Sequence, residues 1–366
     1  MIYLDHNATK PPLQYIIDKI LPFVHLPLNS SSLHQSGRFA KKIINESRNR
    51  IINSLNAKCY NVIFCSSATE SINTIFNCDN FDNIFCLTTD HESSINNPKS
   101  ILINVDKDGL LDLNNLKLHL DKNYNKKNLV SFCLANNQSG VIQNSLEIIK
   151  LCKSYTNTLI HADCVQFIGK EFFSFSKDEF DFDFVSISSH KIGGINGCGL
   201  MIYKSNIDIK PLMYGGGQES FKRPGTENIL AILSCSFALE FVNNIDYIEK
   251  YKSKTKILQN TLETFLSQNQ CIIFSQNVSR VANTTFFAMQ NCKNYIQLVE
   301  YDLNSICVSS GSACSSGKTN ISHVLLSMGV AKDVAQNAIR ISLDIENTKN
   351  DIDKFCEVFL KIKSNL

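Results

Sequence analysis

The stretch SSGSACSSG, from Ser309 to Gly317, sets one thiol, Cys314, among serines and glycines. Small polar neighbours suit neither a core strand nor a core helix, so the thiol reads as displayed, and displayed thiols cross-link, bind metal or react. A second loaded stretch is SISSHKIGG, where Ser188, His190 and Lys191 precede glycines that let backbone approach a ligand closely. A lysine there can form a Schiff base if its surroundings lower its pKa. In SSATES, Ala68 and Thr69 stand where a helix begins, with Glu70 in its first turn. Such a start offers free N–H groups and a hydroxyl to an anion, or is simply an ordinary hydroxyl cap. HADCVQ supplies Asp163 and Gln166, of which the aspartate could equally cap or turn the chain, and TTDHESS supplies His91, which by itself is as readily inert as functional.

These residues need elements to position them. Short β-rich runs, NVIFC (61–65), NIFCL (83–87), ILINV (101–105), LVSFCLA (129–135), TLIHAD (158–163), FDFVSIS (182–188) and GLMIY (199–203), alternate with helical segments. That pattern predicts an α/β domain with a mostly parallel seven-stranded sheet between helices, over residues 15–240. A long helical stretch beginning at Phe241, FVNNIDYIEKYKSKTKILQNTLETFLSQ, then opens a smaller α+β domain made of 241–366 and completed by 1–14. In open parallel sheets ligands bind beyond the carboxyl ends of the strands, and every stretch above except the cysteine one directly follows a predicted strand.

Composition narrows the function. With 43% hydrophobic and 19% charged residues, 366 residues can bury a sizeable core. The N-terminus has neither a basic lead nor an apolar run, and no apolar segment approaches the roughly 18 residues of a membrane span, so a cytoplasmic, non-membrane protein is expected. The net charge is +2 and the lysines are scattered among asparagines, which speaks against a nucleic-acid surface. Fourteen cysteines without a CxxC pair or a zinc-like histidine spacing read as mostly reduced core thiols, with no structural metal. For Cys314, reaction is what remains.

Pyridoxal 5′-phosphate needs a lysine to carry it, a carboxylate near its pyridine nitrogen, an anion-binding helix start and a group stacked on its ring. The chain has a candidate for each just past a strand. The set closely resembles a cysteine desulfurase of the NifS/IscS type, within the class V aminotransferase family. The likeness spans nearly the whole chain, with YLDHNAT, NSSSLHQSGR, SSATES, DHES, NNQSGVIQ, HADCVQ, SSHKIGG, YGGGQE, RPGTEN, SSGSACSSG and IRISL in the family order. It implies the pyridoxal phosphate-dependent fold type I and a role for each residue. Lys191 would carry the cofactor, Asp163 would pair with its ring nitrogen, Gln166 would bond its phenolic oxygen, and His91 would stack on the ring and relay protons. Ala68, Thr69, Ser188 and His190 would hold the phosphate, with Asn137 along the cofactor or substrate. Thr226 would reach the phosphate of a partner subunit, implying a homodimer, and Arg340 would clamp the substrate carboxylate. In AIRISLD the alternation of Ile339, Ile341 and Leu343 with Arg340 and Ser342 turns the arginine away from the core, onto what would otherwise read as a surface position. Cys314 would take sulfur from L-cysteine as a persulfide, leaving L-alanine, with His91 one candidate base.

Some positions depart from the family pattern. Ser30 replaces a proline, Gln138 an acid, Ile195 and Asn196 a Pro-Lys pair, and Asp344 and Ile345 replace Gly-Arg. None of these has an assigned chemical role, although substrate affinity, loop rigidity and partner choice could change. The SSGSAC form implies the desulfurase group linked to iron–sulfur cluster assembly, with a sulfur-acceptor or scaffold protein as partner. A selenocysteine lyase or related β-elimination would share the cofactor residues, and a non-catalytic scaffold paralogue would share the fold. The intact Lys191, Asp163, His91 and Cys314 argue against the latter.

Overall fold

The structure, a computed structural model, describes residues 1–311 and 321–365, so Cys314 lies outside the described residues. All seven predicted runs form strands of one sheet. Across it they lie in the order Tyr60–Cys65, Gly199–Lys204, Phe184–Ser188, Thr158–Asp163, Asn128–Cys133, Asn83–Leu87 and Ser100–Ile103. Only Gly199–Lys204 runs against the rest. Alternate residues go to opposite faces, as strand geometry requires. Val62, Phe64, Val130, Phe132, Val185 and Ile187 pack in one cluster with residues of helices Gln35–Ser54 and Ile229–Val242. Ile63, Cys65, Leu129, Phe184 and Met201 pack in another, with Ile72, Ile75 and Phe76 of helix Ala68–Cys78. Burial on both faces explains why these strands read as continuous apolar runs.

One glycine sets the position of that last helix. A Cβ on Gly199 would lie 2.3 Å from the Ser67 carbonyl carbon, so bare backbone is what lets the Ser67–Ala68 turn sit against the neighbouring strand. Ser67 then caps the helix, its hydroxyl accepting from Glu70 N at 3.2 Å.

A separate apolar cluster joins Leu258, Leu262 and Leu266 of helix Ile245–Gln268 and Phe355 and Phe359 of helix Lys349–Ser364 to Phe287, Ile339 and Ile341. The last three belong to a three-stranded antiparallel sheet containing Thr284–Ala288 and Ala338–Ser342. The single helical stretch expected from Phe241 onward is instead two helices, Ile229–Val242 and Ile245–Gln268, bent by 74°. Two asparagines cause the break. The Asn243 side chain accepts from Phe173 N and donates to Phe173 O and Ser54 O. The Asn244 side chain caps the second helix, accepting from Asp246 N and Tyr247 N. No single helix among the described residues is long and apolar enough to cross a membrane.

The N-terminal segment ties the two cores together. Ile2–Tyr3 pairs with Ile306–Cys307, Asp5 bridges to Ser342, and the chain crosses to Lys10. Lys10 Nζ is 2.8 Å from Asp344 Oδ2 and donates to the Tyr247 hydroxyl at 2.9 Å, and lysine and aspartate are both buried. The departure at Asp344 is therefore a buried counter-charge.

Asp344→Ala would strand the Lys10 ammonium in the interior, and should cost about 3–5 kcal/mol in reversible urea unfolding. Burial pulls the Lys10 pKa down and the Asp344 charge pushes it up, with a net rise above 10.5. A lysine raised by folding contributes stability that is complete below its unfolded value and is lost as pH climbs through the folded one. The deficit should thus hold from neutral pH up to 10.5. A deficit below about 1 kcal/mol at neutral pH would show the pair to be dispensable.

Candidate active site

At the carboxyl ends of the parallel strands lies a cleft of about 400 Å³, within the range of small-ligand sites. Ala68, Thr69, His91, Asn137, Asp163, Gln166, Ser188, His190, Lys191 and Arg340 all line it. Thr226 does not; it is exposed, in the segment that the Arg223–Glu70 ion pair ties to the first turn of helix Ala68–Cys78.

Lys191 sits on the short turn Ser189–Lys191 that ends the Phe184–Ser188 strand. Its Nζ donates to the carbonyls of Asn7 at 2.7 Å and Ala8 at 2.5 Å, so the N-terminal segment holds the amine in the cleft. Asn7 and Ala8 also line it, a role the YLDHNAT motif did not reveal. Gln166 Nε2 donates to the same Asn7 carbonyl at 2.9 Å.

Asp163 ends its strand almost fully buried. Burial raises its pKa, against the Val165 amide donated to Oδ1 at 2.9 Å and the neighbouring His91 and Lys191 side chains. Oδ2 receives the Cys133 thiol at 3.6 Å, a weak donor. A dry carboxylate with a weakly occupied oxygen facing a 400 Å³ cleft suits a ligand that brings a ring N–H. Opposite chemistry lies at the start of helix Ala68–Cys78, where Ser67, Ala68, Thr69, Ser188 and His190 gather around backbone N–H groups that favour an anion. These residues fit pyridoxal 5′-phosphate at both ends.

His91 is held by its own helix cap. Its Nδ1 accepts from Ser93 N at 3.1 Å, so the neutral ring carries its proton on Nε2 and offers it from there. Asp90, the preceding residue, fixes the loop by accepting from Leu87 N and Cys133 N, joining two strand ends; burial raises its pKa to about 7. Burial lowers the pKa of His91, outweighing the Asp163 charge. Burial and then the Lys191 charge take His190 down to about 4.

Arg340 stands on strand Ala338–Ser342. It points away from the apolar cluster and is only 2% exposed, with Asp5 of the N-terminal segment against it. It forms an ion pair with Asp5 and donates to Asn137 O at 3.1 Å, while its Nε is buried with no acceptor among the described residues. The sequence offered no signal for Asp5, which lies 335 positions away. Of the other departures, Gln138 is buried and accepts from the Ser322 hydroxyl at 2.5 Å, and Ile195 packs on the large core. The cysteines among the described residues are all free and most are buried, and no cluster there could hold a metal.

Both cleft histidines should stay neutral at pH 7, with His190 charging only near pH 4 in an NMR titration and His91 below 6.5. An imidazole depressed by folding binds its proton better in the unfolded chain, so stability is complete above 6.5 and falls as pH drops below it. A His91 midpoint at or above 6.5 would contradict the buried, capped geometry.

The chain has relatives along its whole length. The class V aminotransferase family model matches residues 2–355. The chain is 30% identical to a cysteine desulfurase IscS of Clostridium botulinum, over 99% of this chain and 94% of that protein. It is 28% identical to a cysteine desulfurase IscS of Methanosarcina thermophila, over 100% and 92%. Among solved structures, a NifS-like protein from Rickettsia africae superposes with a TM-score of 0.90 at 39% identity, covering 100% of this chain and 99% of that one. The sheet and its flanking helices are accordingly the fold type I arrangement of NifS-like proteins. With a family match that spans nearly its whole length, the chain belongs to the class V aminotransferase family.

Proposed function

We propose that this protein is a pyridoxal phosphate-dependent cysteine desulfurase, converting L-cysteine and the Cys314 thiol into L-alanine and a Cys314 persulfide that a sulfur-acceptor protein of iron–sulfur cluster assembly then discharges. What carries the reading is the joint lining of one cleft by Lys191, the buried Asp163 and the buried Arg340. The likeness to proteins named cysteine desulfurase supports it. The same family pattern supports a homodimer in which Thr226 serves the partner's cleft.

Pyridoxal 5′-phosphate, when bound, supplies an electron sink for charge that develops on the substrate Cα. Lys191 would carry the cofactor, Asp163 would keep its ring nitrogen protonated, Gln166 would donate to its phenolic oxygen, and the start of helix Ala68–Cys78 with Ser188 and His190 would hold its phosphate. Arg340, oriented by its ion pair with Asp5 and its bond to Asn137 O, would receive the substrate carboxylate. His91, whose Nδ1 accepts from Ser93 N, would relay protons through Nε2. Cys314 as thiolate would attack the substrate Sγ; the Cβ–Sγ bond breaks, the sulfur stays on the enzyme as a persulfide, and Cβ gains the proton that completes alanine.

The purified protein loaded with cofactor should be yellow, release alanine from L-cysteine, and hold one labile sulfur that mass mapping places on Cys314. Lys191→Ala should lose the borohydride-reducible linkage. Cys314→Ser should keep the colour and still respond spectrally to L-cysteine, yet release alanine only at background, because a hydroxyl ionises far less readily and cannot become a persulfide. Alanine release by Cys314→Ser at the parent rate would sink the desulfurase reading. Arg340→Lys keeps the charge opposite Asp5 but loses the planar fork, so substrate affinity should fall by about one to two decades while cofactor retention holds. Equal losses of both would mark the arginine as structural.

A further inference from the structure

We infer that Lys170 is a positioning residue, a buried amine that fixes which way the Gln166 carboxamide faces and so aims an N–H of Gln166 into the cleft. The inference rests on the cofactor reading above. Lys170 follows Gln166 by one helical turn's worth of chain and is only 6% exposed. Its Nζ donates to Asn7 Oδ1 at 2.6 Å and to Gln166 Oε1. Both acceptors are neutral amide oxygens. Lys170 does not line the cleft; it lines a small cavity behind Lys191, together with His6, Lys10 and Asp344.

A carboxamide turned end for end keeps its shape, so packing alone cannot choose its orientation. Here both ends are specified. The Asn7 carbonyl can only accept, which draws Nε2 towards it at 2.9 Å, and the Lys170 amine closes the Oε1 end. One Nε2 hydrogen is thereby used, and the other remains for whatever occupies the cleft that Gln166 lines. Asn7 is itself held, its Nδ2 donating to Thr284 Oγ1 at 2.9 Å and Asn137 O at 3.1 Å. The state of the amine agrees with this geometry. Burial, then the charges of Lys191 and Arg340, hold the Lys170 pKa well below the ordinary lysine value; Asp344 opposes them and Lys10 adds to them. A neutral amine has two N–H groups, one for each acceptor, whereas an ammonium would bury a third without a partner.

If the aimed Nε2–H meets the phenolic oxygen of pyridoxal phosphate, it favours the form in which that oxygen carries full negative charge. Losing the aim should therefore raise the pH at which the Lys191 linkage gives up its proton. The test is a spectrophotometric pH titration of the visible band in the cofactor-loaded parent, Lys170→Met, Gln166→Leu and the double variant. Lys170→Met should raise the midpoint by about 0.5 to 1 pH unit, the size of one neutral hydrogen bond. In the Gln166→Leu background the same change should move nothing, because a residue that acts through Gln166 has nothing left to act on. Should Lys170→Met fail to fold, Lys170→Gln, which keeps an NH2 donor on a shorter side chain, should give a smaller rise that also vanishes beside Gln166→Leu. An unmoved midpoint, or a shift that persists without Gln166, overturns the assignment. A parent with no visible band overturns the cofactor reading, and this one with it, so the two failures are distinguishable.

Discussion

Several charged groups meet where the large sheet and the smaller core adjoin, and nearly all of them are out of water. Lys10, Lys170, Arg340, Asp163 and Asp344 are each below 9% exposed. Burying an ionised group without a partner is costly enough to unfold a protein of ordinary stability, so every one must be paired, solvated by amides or neutralised. The segment from Tyr3 to Ala8 and Lys10 meets most of that requirement. Asp5 takes Arg340, Lys10 takes Asp344, the Asn7 side chain takes Lys170, and the carbonyls of Asn7 and Ala8 take Lys191.

That single strap also explains the character of the cleft. Once it lies across the strand ends, solvent is excluded from one side, and burial becomes the dominant influence on each titratable group. Asp163 is raised, while His91 and His190 are lowered. A carboxylate held dry has a strong preference for a partner with a proton to share, and a neutral imidazole capped at Nδ1 has one proton to give. The N-terminal segment thus walls one side of the cleft, against Lys191 and Gln166.

The departures from the family pattern become intelligible in the same terms. Asp344 is matched inside this chain by Lys10, with which it forms a buried ion pair. Gln138, in place of an acid, accepts from the hydroxyl of Ser322, which in turn caps the helix His323–Ser327. Neither alters a group that lines the cleft.

Much of this was legible in the sequence because it is local. Strands announce themselves by runs of apolar residues, and a polar residue just past such a run lies at the sheet's carboxyl edge, which makes Asp163, His91 and Lys191 candidates; their separate roles come only from the resemblance to a family. The break at Asn243–Asn244 was missed, since asparagine weakens a helix only slightly and its side-chain bonds to Phe173 and Ser54 come from distant chain. The burial of Arg340 was missed because a strand's alternation tells which face a side chain takes but not what covers that face. The partners Asp5–Arg340, Lys10–Asp344 and Asn7–Lys170 lie more than 160 positions apart, and polar partners carry no periodicity by which to find each other. The sequence by itself therefore determined which residue types sit at the strand ends. Only the tertiary structure decided which of them are dry, which are paired, and in what direction their protons point, because those depend on what the folded chain lays over them.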